Sequence, residues 1–361
     1  MKVSKIPGLG DYGVFIDGVD FANLSDEEWM EIGSIHMQNL VTIIRNCNLK
    51  WADMSAWLSK FGDKRYALGY YFRKKYPNHT MQELIQLANT ENSLLSDDDR
   101  LKIANMMYMQ EFDPHTGSNV TKVTGKKDEN GNPMGMFANG DLDWHSNEGG
   151  SLTFTPGVAL LASENVVGSS TGFLQTADFY ETISDSFRSE LDDMVIEHKF
   201  FPGKTTPGLD ADQEIMMQAN QCPVDGIEIP MVIKSPGGIT GLHYSVNTAS
   251  CIKGLTTEQS QRIFDDIEKQ LFVDEYIYDH WYQNDGDLCL FDNSITLHRR
   301  LGDTSNRLCH RVQHDYSNLQ ENFWQPYIHP EYAARYEREI VDFVNTTGVK
   351  DFKLPSSYKA H

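Results

Sequence analysis

Short runs of β-branched and aliphatic residues, separated by turn clusters, constrain this chain more than any other feature. Leu40-Val41-Thr42-Ile43-Ile44-Arg45 reads as a buried central strand. Residues 12–22 alternate apolar and polar side chains through Val14, Ile16 and Val19, and Val120-Thr121-Lys122-Val123-Thr124 alternates again. Asp128-Glu129-Asn130-Gly131-Asn132-Pro133 is a turn cluster. Further strands are expected over 157–163, 239–246, 288–291 and 308–316. Helical spacing intervenes in a few places. Ser25 and Glu28 form a capping-box pattern ahead of Trp29, Ile32 and Ile35, and residues 52–61 read as a short helix. Residues 177–196 read as helix, and 257–271 are amphipathic through Ile263, Ile267 and Leu271. Many short strands with few uninterrupted β-α-β units favour a jelly-roll over a parallel sheet, so the expected fold is mainly β with flanking helices. No internal repeat or low-complexity tract interrupts the pattern, and a single domain of 361 residues is expected.

The formal net charge of −21 argues against nucleic acid and anionic membrane surfaces as partners, because both are polyanions. Five cysteines, Cys47, Cys222, Cys251, Cys289 and Cys309, are odd in number and lack C-x-x-C spacing, which suits a reducing compartment. With no apolar run of signal-peptide or membrane-span length, a cytoplasmic protein is expected.

Chemistry concentrates around two histidines 153 positions apart, in Asp143-Trp144-His145-Ser146-Asn147-Glu148 and in Asp292-Asn293-Ser294-Ile295-Thr296-Leu297-His298. Two imidazoles and one oxygen ligand on one face of a metal leave positions open for a cosubstrate and O₂, the logic of non-haem Fe(II) oxygenases. Arg307 and Arg311 follow the second histidine, and an arginine fork suits the far carboxylate of a 2-oxo acid. None of the other histidines has the H-E-x-x-H spacing of a zinc protease.

These residues, in this order, resemble the taurine dioxygenase (TauD/TfdA) family of Fe(II)/2-oxoglutarate-dependent oxygenases. Gly18 to Trp29 is similar to the family's opening strand and first helix, and Trp281 to Asn293 to the segment leading to its distal histidine. The resemblance covers roughly residues 12–62 and 119–330. It implies a double-stranded β-helix core with His145 and His298 as metal ligands. It places Arg307 and Thr171 on the C5 carboxylate of 2-oxoglutarate, and Arg311 on the substrate side. His243, Tyr244 and Asn247 lie on or just after a strand expected to line the same barrel, with His243 a candidate substrate contact beside Arg311. The activity implied is hydroxylation of an unactivated C–H of a small molecule, with a lean toward an anionic or zwitterionic one. Oxidative decarboxylation of 2-oxoglutarate to succinate and CO₂ with O₂ would generate the oxidant.

Two departures stand out. Asn147 occupies the place where the family carries Asp or Glu. Strand alternation puts His145 and Asn147 on one face and Glu148 on the other. Glu148 supplies the carboxylate if the strand ends there and Gly149-Gly150 lets the backbone twist. Asn147 itself ligates, at a cost in iron affinity, if it does not. A vacant position that admits a halide, as in related halogenases, and an inactive small-molecule-binding relative are the remaining alternatives. The second departure is residues 64–118, which have no counterpart in the resemblance and read as a helical insert: a lid, a substrate wall or a contact in a homo-oligomer. Thr80 and Glu83 form a second capping box there, a further helix is expected through Leu101, Ile103, Met106 and Met107, and Met109 extends a methionine stripe.

Overall fold

The computed structural model describes residues 1–62, 119–131, 133–135, 141–149, 154–199 and 226–319, with scattered positions between 72 and 112. Its frame is a pair of facing sheets. The larger has eight strands in the order Lys2–Lys5, Gly13–Asp17, Val41–Ile44, Leu288–Asp292, Gly157–Glu164, Leu308–His314, Asn119–Thr124 and Gln110–Phe112. Neighbours in it are antiparallel except Gly13–Asp17 beside Val41–Ile44. The smaller sheet orders Ile277–Trp281, Ser169–Gln175, Thr296–Gly302 and Leu142–His145. The expected jelly-roll is what forms.

The period of two along each strand sorts its side chains between layers. Val158, Leu160, Cys289 and Phe291 of the large sheet meet Phe173 of the small sheet, and Tyr282, in the space between. Their neighbours Ala159, Leu161, Leu288 and Leu290 point the other way, onto Trp29, Ile32, Met54 and Leu58 of the helices Asp26–Met37 and Trp51–Leu58. Trp29 is fully buried and stacked on Phe61, with ring centroids 4.4 Å apart, and its Nε1–H donates to Trp57 O at 2.8 Å. Removing an indole of that size from water contributes roughly 4–6 kcal/mol. The outer face of the small sheet, through Trp144, Leu174 and Leu297, is covered by Phe264, Ile267 and Leu271 of the Thr257–Leu271 helix. Both long helices begin at reciprocal capping boxes, Ser25 with Glu28 and Thr256 with Gln259, each cap contributing about 1 kcal/mol.

Three stretches differ from the sequence expectation. Residues 177–196 are not one helix. Ala177–Thr182 ends, Ser184 caps a second helix over Asp185–Asp192, and Val195–His198 is a strand paired with Ile227–Pro230 and Ala249–Ile252. The strand expected over 239–246 is only Thr240–Leu242, paired with Val232–Lys234. The strand carrying His145 ends at that residue, so alternation does not extend to Asn147. Within the insert, the Met81–Ala88 helix is present, and Leu84 and Ile103 pack with Phe72 and Leu95. Leu101, Met106, Met107 and Met109 lie outside the described residues.

Candidate active site

His145 and His298 face each other across adjacent antiparallel strands as direct register partners, their ring centroids 4.1 Å apart. In both strands the neighbouring residue, Trp144 or Leu297, points outward into the helix-covered layer, so the histidines point between the sheets. His145 Nδ1 lies 2.7 Å from Asp143 O. A carbonyl only accepts, so Nδ1 carries the proton and Nε2 keeps its lone pair, the tautomer a metal ligand needs. Burial pushes His145 down to about 4 and moves His298 the same way, helped there by His145 and Arg311. Both imidazoles are therefore neutral near pH 7. His298 Nδ1, Asn147 Nδ2 and Arg311 Nε are buried and have no hydrogen-bond partner among the described residues. Each orphaned group costs about 1–3 kcal/mol, which a ligand arriving at the site can offset. Two opposed neutral imidazoles surrounded by unsatisfied polar atoms fit a transition-metal ion.

The third donor is the unusual part. Among the described residues no further His, Cys, Asp or Glu joins the two histidines in a metal-binding group. Asn147 is buried, and its Oδ1 accepts from Arg311 Nη1 at 2.8 Å. Glu148 takes a left-handed backbone, φ 64°, and its Oε2 accepts from Gln313 Nε2 at 3.1 Å. The twist expected next to Gly149 therefore occurs, and it brings the carboxylate to Gln313 of the Leu308–His314 strand. Asn293 holds the turn in place. It is fully buried, its Oδ1 accepts from Asn147 N–H at 2.9 Å, and its Nδ2 donates to Asn147 O at 2.9 Å and Thr155 O at 3.1 Å. Asp292 organises the next turn by accepting from Ser294 N–H, Ser294 Oγ and Ile295 N–H.

Beside the histidines lies a cavity of about 40 Å³ lined by His145, His298, Thr171, Arg299, Arg300, Arg307 and Arg311 together with apolar side chains. None of its lining residues among those described is acidic. In a chain of net charge −21, a pocket walled by several guanidiniums is a local trap for an anion. Arg307 is 2% exposed and firmly held, with Nη1 donating to Ser170 O at 3.0 Å, Nη2 to Thr171 Oγ1 at 3.2 Å and Nε to Cys309 Sγ at 3.0 Å. Burial pulls Arg311 down to about 10, still charged at neutral pH, and Asn147 is the hydrogen-bond partner it shows. The sequence-predicted His145, His298, Thr171, Arg307 and Arg311 thus meet at one cavity.

His243 stands apart from that lining. Its Nδ1–H donates to Ser294 O at 2.7 Å, and its ring lies 5.0 Å from His198 and 5.4 Å from Phe154. Two residues at the site carry no sequence signal of their role: Asn293, beside Asp292 ahead of His298, and Tyr282, whose hydroxyl lies 2.7 Å from Thr171 Oγ1. Both act through partners more than 100 positions away.

Comparison with known proteins bears on the family and the fold. The model of the taurine catabolism dioxygenase TauD, TfdA family matches residues 4–313. The solved structure of AAD-2 in complex with Mn(II) and N-oxalylglycine is similar with a TM-score of 0.59 at 16% identity, covering 87% of this chain and 97% of that one. A taurine dioxygenase from Burkholderia xenovorans is similar with a TM-score of 0.55 at 17% identity, covering 86% and 88%. No curated protein matches by sequence.

Proposed function

We propose that this chain, which belongs to the TauD/TfdA family and is an Fe(II)/2-oxoglutarate-dependent dioxygenase, hydroxylates an unactivated C–H bond of a small anionic or zwitterionic molecule. The supporting observation is the convergence of two opposed neutral imidazoles and the Arg307–Thr171 pair on one cavity with no acidic residue among its described lining. His145 and His298 would hold the iron. Arg307 and the Thr171 hydroxyl would hold the C5 carboxylate of 2-oxoglutarate, since a planar guanidinium matches a carboxylate in two hydrogen bonds. When bound, iron, 2-oxoglutarate and O₂ supply the oxidising chemistry, with succinate and CO₂ as coproducts. The chain's own contribution is to fix these partners, keep the imidazoles unprotonated and exclude water from the space between the sheets.

The preference for an anion rests on Arg311. It is buried, forms no ion pair among the described residues, and engages the neutral amide of Asn147. A buried guanidinium whose described partner is a neutral amide favours a ligand that brings negative charge. Asn147 would take the third position beside the metal through its amide, with Arg311 fixing which way the amide faces. The test is a screen of amino acids, sulfonates and related acids for substrate-stimulated succinate release. An anionic substrate whose KM rises steeply in Arg311→Leu is the expected outcome. An uncharged best substrate, indifferent to that change, would overturn the anionic assignment.

A further inference from the structure

We infer that Tyr282 is a positioning residue for the cosubstrate: its phenol donates to Thr171 Oγ1 and thereby turns the Thr171 hydroxyl hydrogen toward the cosubstrate carboxylate. This deepens the reading above and rests on Arg307 and Thr171 being the anchor for 2-oxoglutarate.

The geometry fixes the proton inventory. A threonine hydroxyl has one hydrogen to give and two lone pairs to accept with. One lone pair of Thr171 Oγ1 already accepts from Arg307 Nη2 at 3.2 Å, since a guanidinium can only donate. The remaining partner is Tyr282 Oη at 2.7 Å, where the direction of donation is open by distance alone. Donation from threonine to tyrosine would leave the phenol hydrogen with only Cys289 Sγ, a weak acceptor 3.8 Å away. Donation from tyrosine to threonine gives the phenol hydrogen an oxygen acceptor and leaves the Thr171 hydrogen for a ligand. A phenol is also the more acidic hydroxyl and hence the better donor, with an ordinary pKa near 10. Burial and Cys289 push the Tyr282 value further up, so its proton stays in place through the working pH range. With both lone pairs filled, the Thr171 hydrogen has the cavity left to point into, and Thr171 lines that cavity.

Tyr282 is well placed to hold this role. It is 1% exposed, its N–H donates to Ser169 O at 3.2 Å, and its ring lies beneath the Arg307 guanidinium, 5.3 Å from Cζ to centroid. One side chain thus supports both halves of the anchor: the ring under the cation and the hydroxyl behind the threonine.

The test uses calorimetric titration of N-oxalylglycine into the full-length protein loaded with Mn(II), which reads the anchor without turnover. Tyr282→Phe keeps the ring under Arg307 and removes one hydrogen bond. Its Kd is expected to rise about three- to tenfold, the effect of one neutral hydrogen bond. Thr171→Val should weaken binding at least as much, and Thr171→Ser should restore it. The decisive arm is the double variant: Tyr282→Phe on the Thr171→Val background should cost nothing more, because its effect runs through the missing hydroxyl. Additive losses, or an unchanged Kd in Tyr282→Phe, would overturn the inference. Arg307→Ala separates the two levels. If it weakens binding while Tyr282→Phe does not, only the role of Tyr282 fails. If Arg307→Ala leaves Kd unchanged, the anchor itself is misassigned and both fall.

Discussion

Asn293→Ala should loosen the metal centre although the residue touches no ligand side chain. Its carboxamide makes three hydrogen bonds, all buried: from Asn147 N–H, to Asn147 O and to Thr155 O. Removing it takes away the Asn293 hydrogen bonds of one backbone donor and two carbonyls. At about 1 kcal/mol per bond the structure predicts a loss near 3 kcal/mol, as the bonds lie where water cannot replace them. Because two of the three bonds fix the turn that follows His145, part of this loss should reach metal affinity. Urea unfolding of the metal-free protein gives the first quantity, and competition for Fe(II) against a calibrated chelator gives the second. The expected result is a lower midpoint with an unchanged slope, together with iron binding weakened at least tenfold in protein shown to be folded. A variant that loses the stability but binds iron like wild type would refute the idea that Asn293 preorganises the ligand turn.

Three more outcomes are expected. Asn147→Asp should tighten Fe(II) binding, because a carboxylate attracts a dication far more than an amide dipole does, whereas Glu148→Ala should leave it nearly unchanged; chelator competition reads both, and loss of metal in Glu148→Ala would shift the third position to that residue. Arg307→Ala should raise the KM for 2-oxoglutarate by a factor corresponding to about 2–5 kcal/mol, with initial rates of succinate formation as the measure. Acid should destabilise the fold early. Burial holds His36 at about 3, with His314 adding to it, and His243 at about 4. Both values lie below the ordinary 6.5, so the unfolded chain binds these protons more tightly. The contribution of these two histidines is therefore complete above about pH 6.5 and falls as pH drops toward 4, by about 1.4 kcal/mol per unit and group. A urea midpoint unchanged between pH 7.5 and 5 would contradict this.

The sandwich was legible because each of its strands carries its own pattern: β-branched runs such as Val41–Ile44 and alternating ones such as Val120–Thr124 need no distant partner to be recognised. The Val195–His198 strand was not. Ile196 continues the apolar spacing of the preceding helical stretch, and only pairing with Ile227–Pro230 and Ala249–Ile252 makes the segment extended. The histidines and arginines were legible as chemistry, since their residue types and order are unusual. The turn at Asn147 was only half readable. Gly149-Gly150 signalled a twist, but the strand stops at His145 because Asn293 claims the Asn147 backbone from 146 positions away. Tyr282 behind Thr171 belongs to the same class: its role depends on a hydroxyl direction that arises only when distant segments meet.

Anaerobic addition of Fe(II) and 2-oxoglutarate to the metal-free protein, followed by visible absorption, tests the central claim most directly. Chelation of iron by the 2-oxo acid at a site held by His145 and His298 should give a weak metal-to-ligand charge-transfer band in the wild type. His145→Ala and His298→Ala should each abolish the band while remaining folded by circular dichroism. A full-strength band in either variant, or none in the wild type under saturating iron and 2-oxoglutarate, would contradict the assignment of this pair as the metal centre.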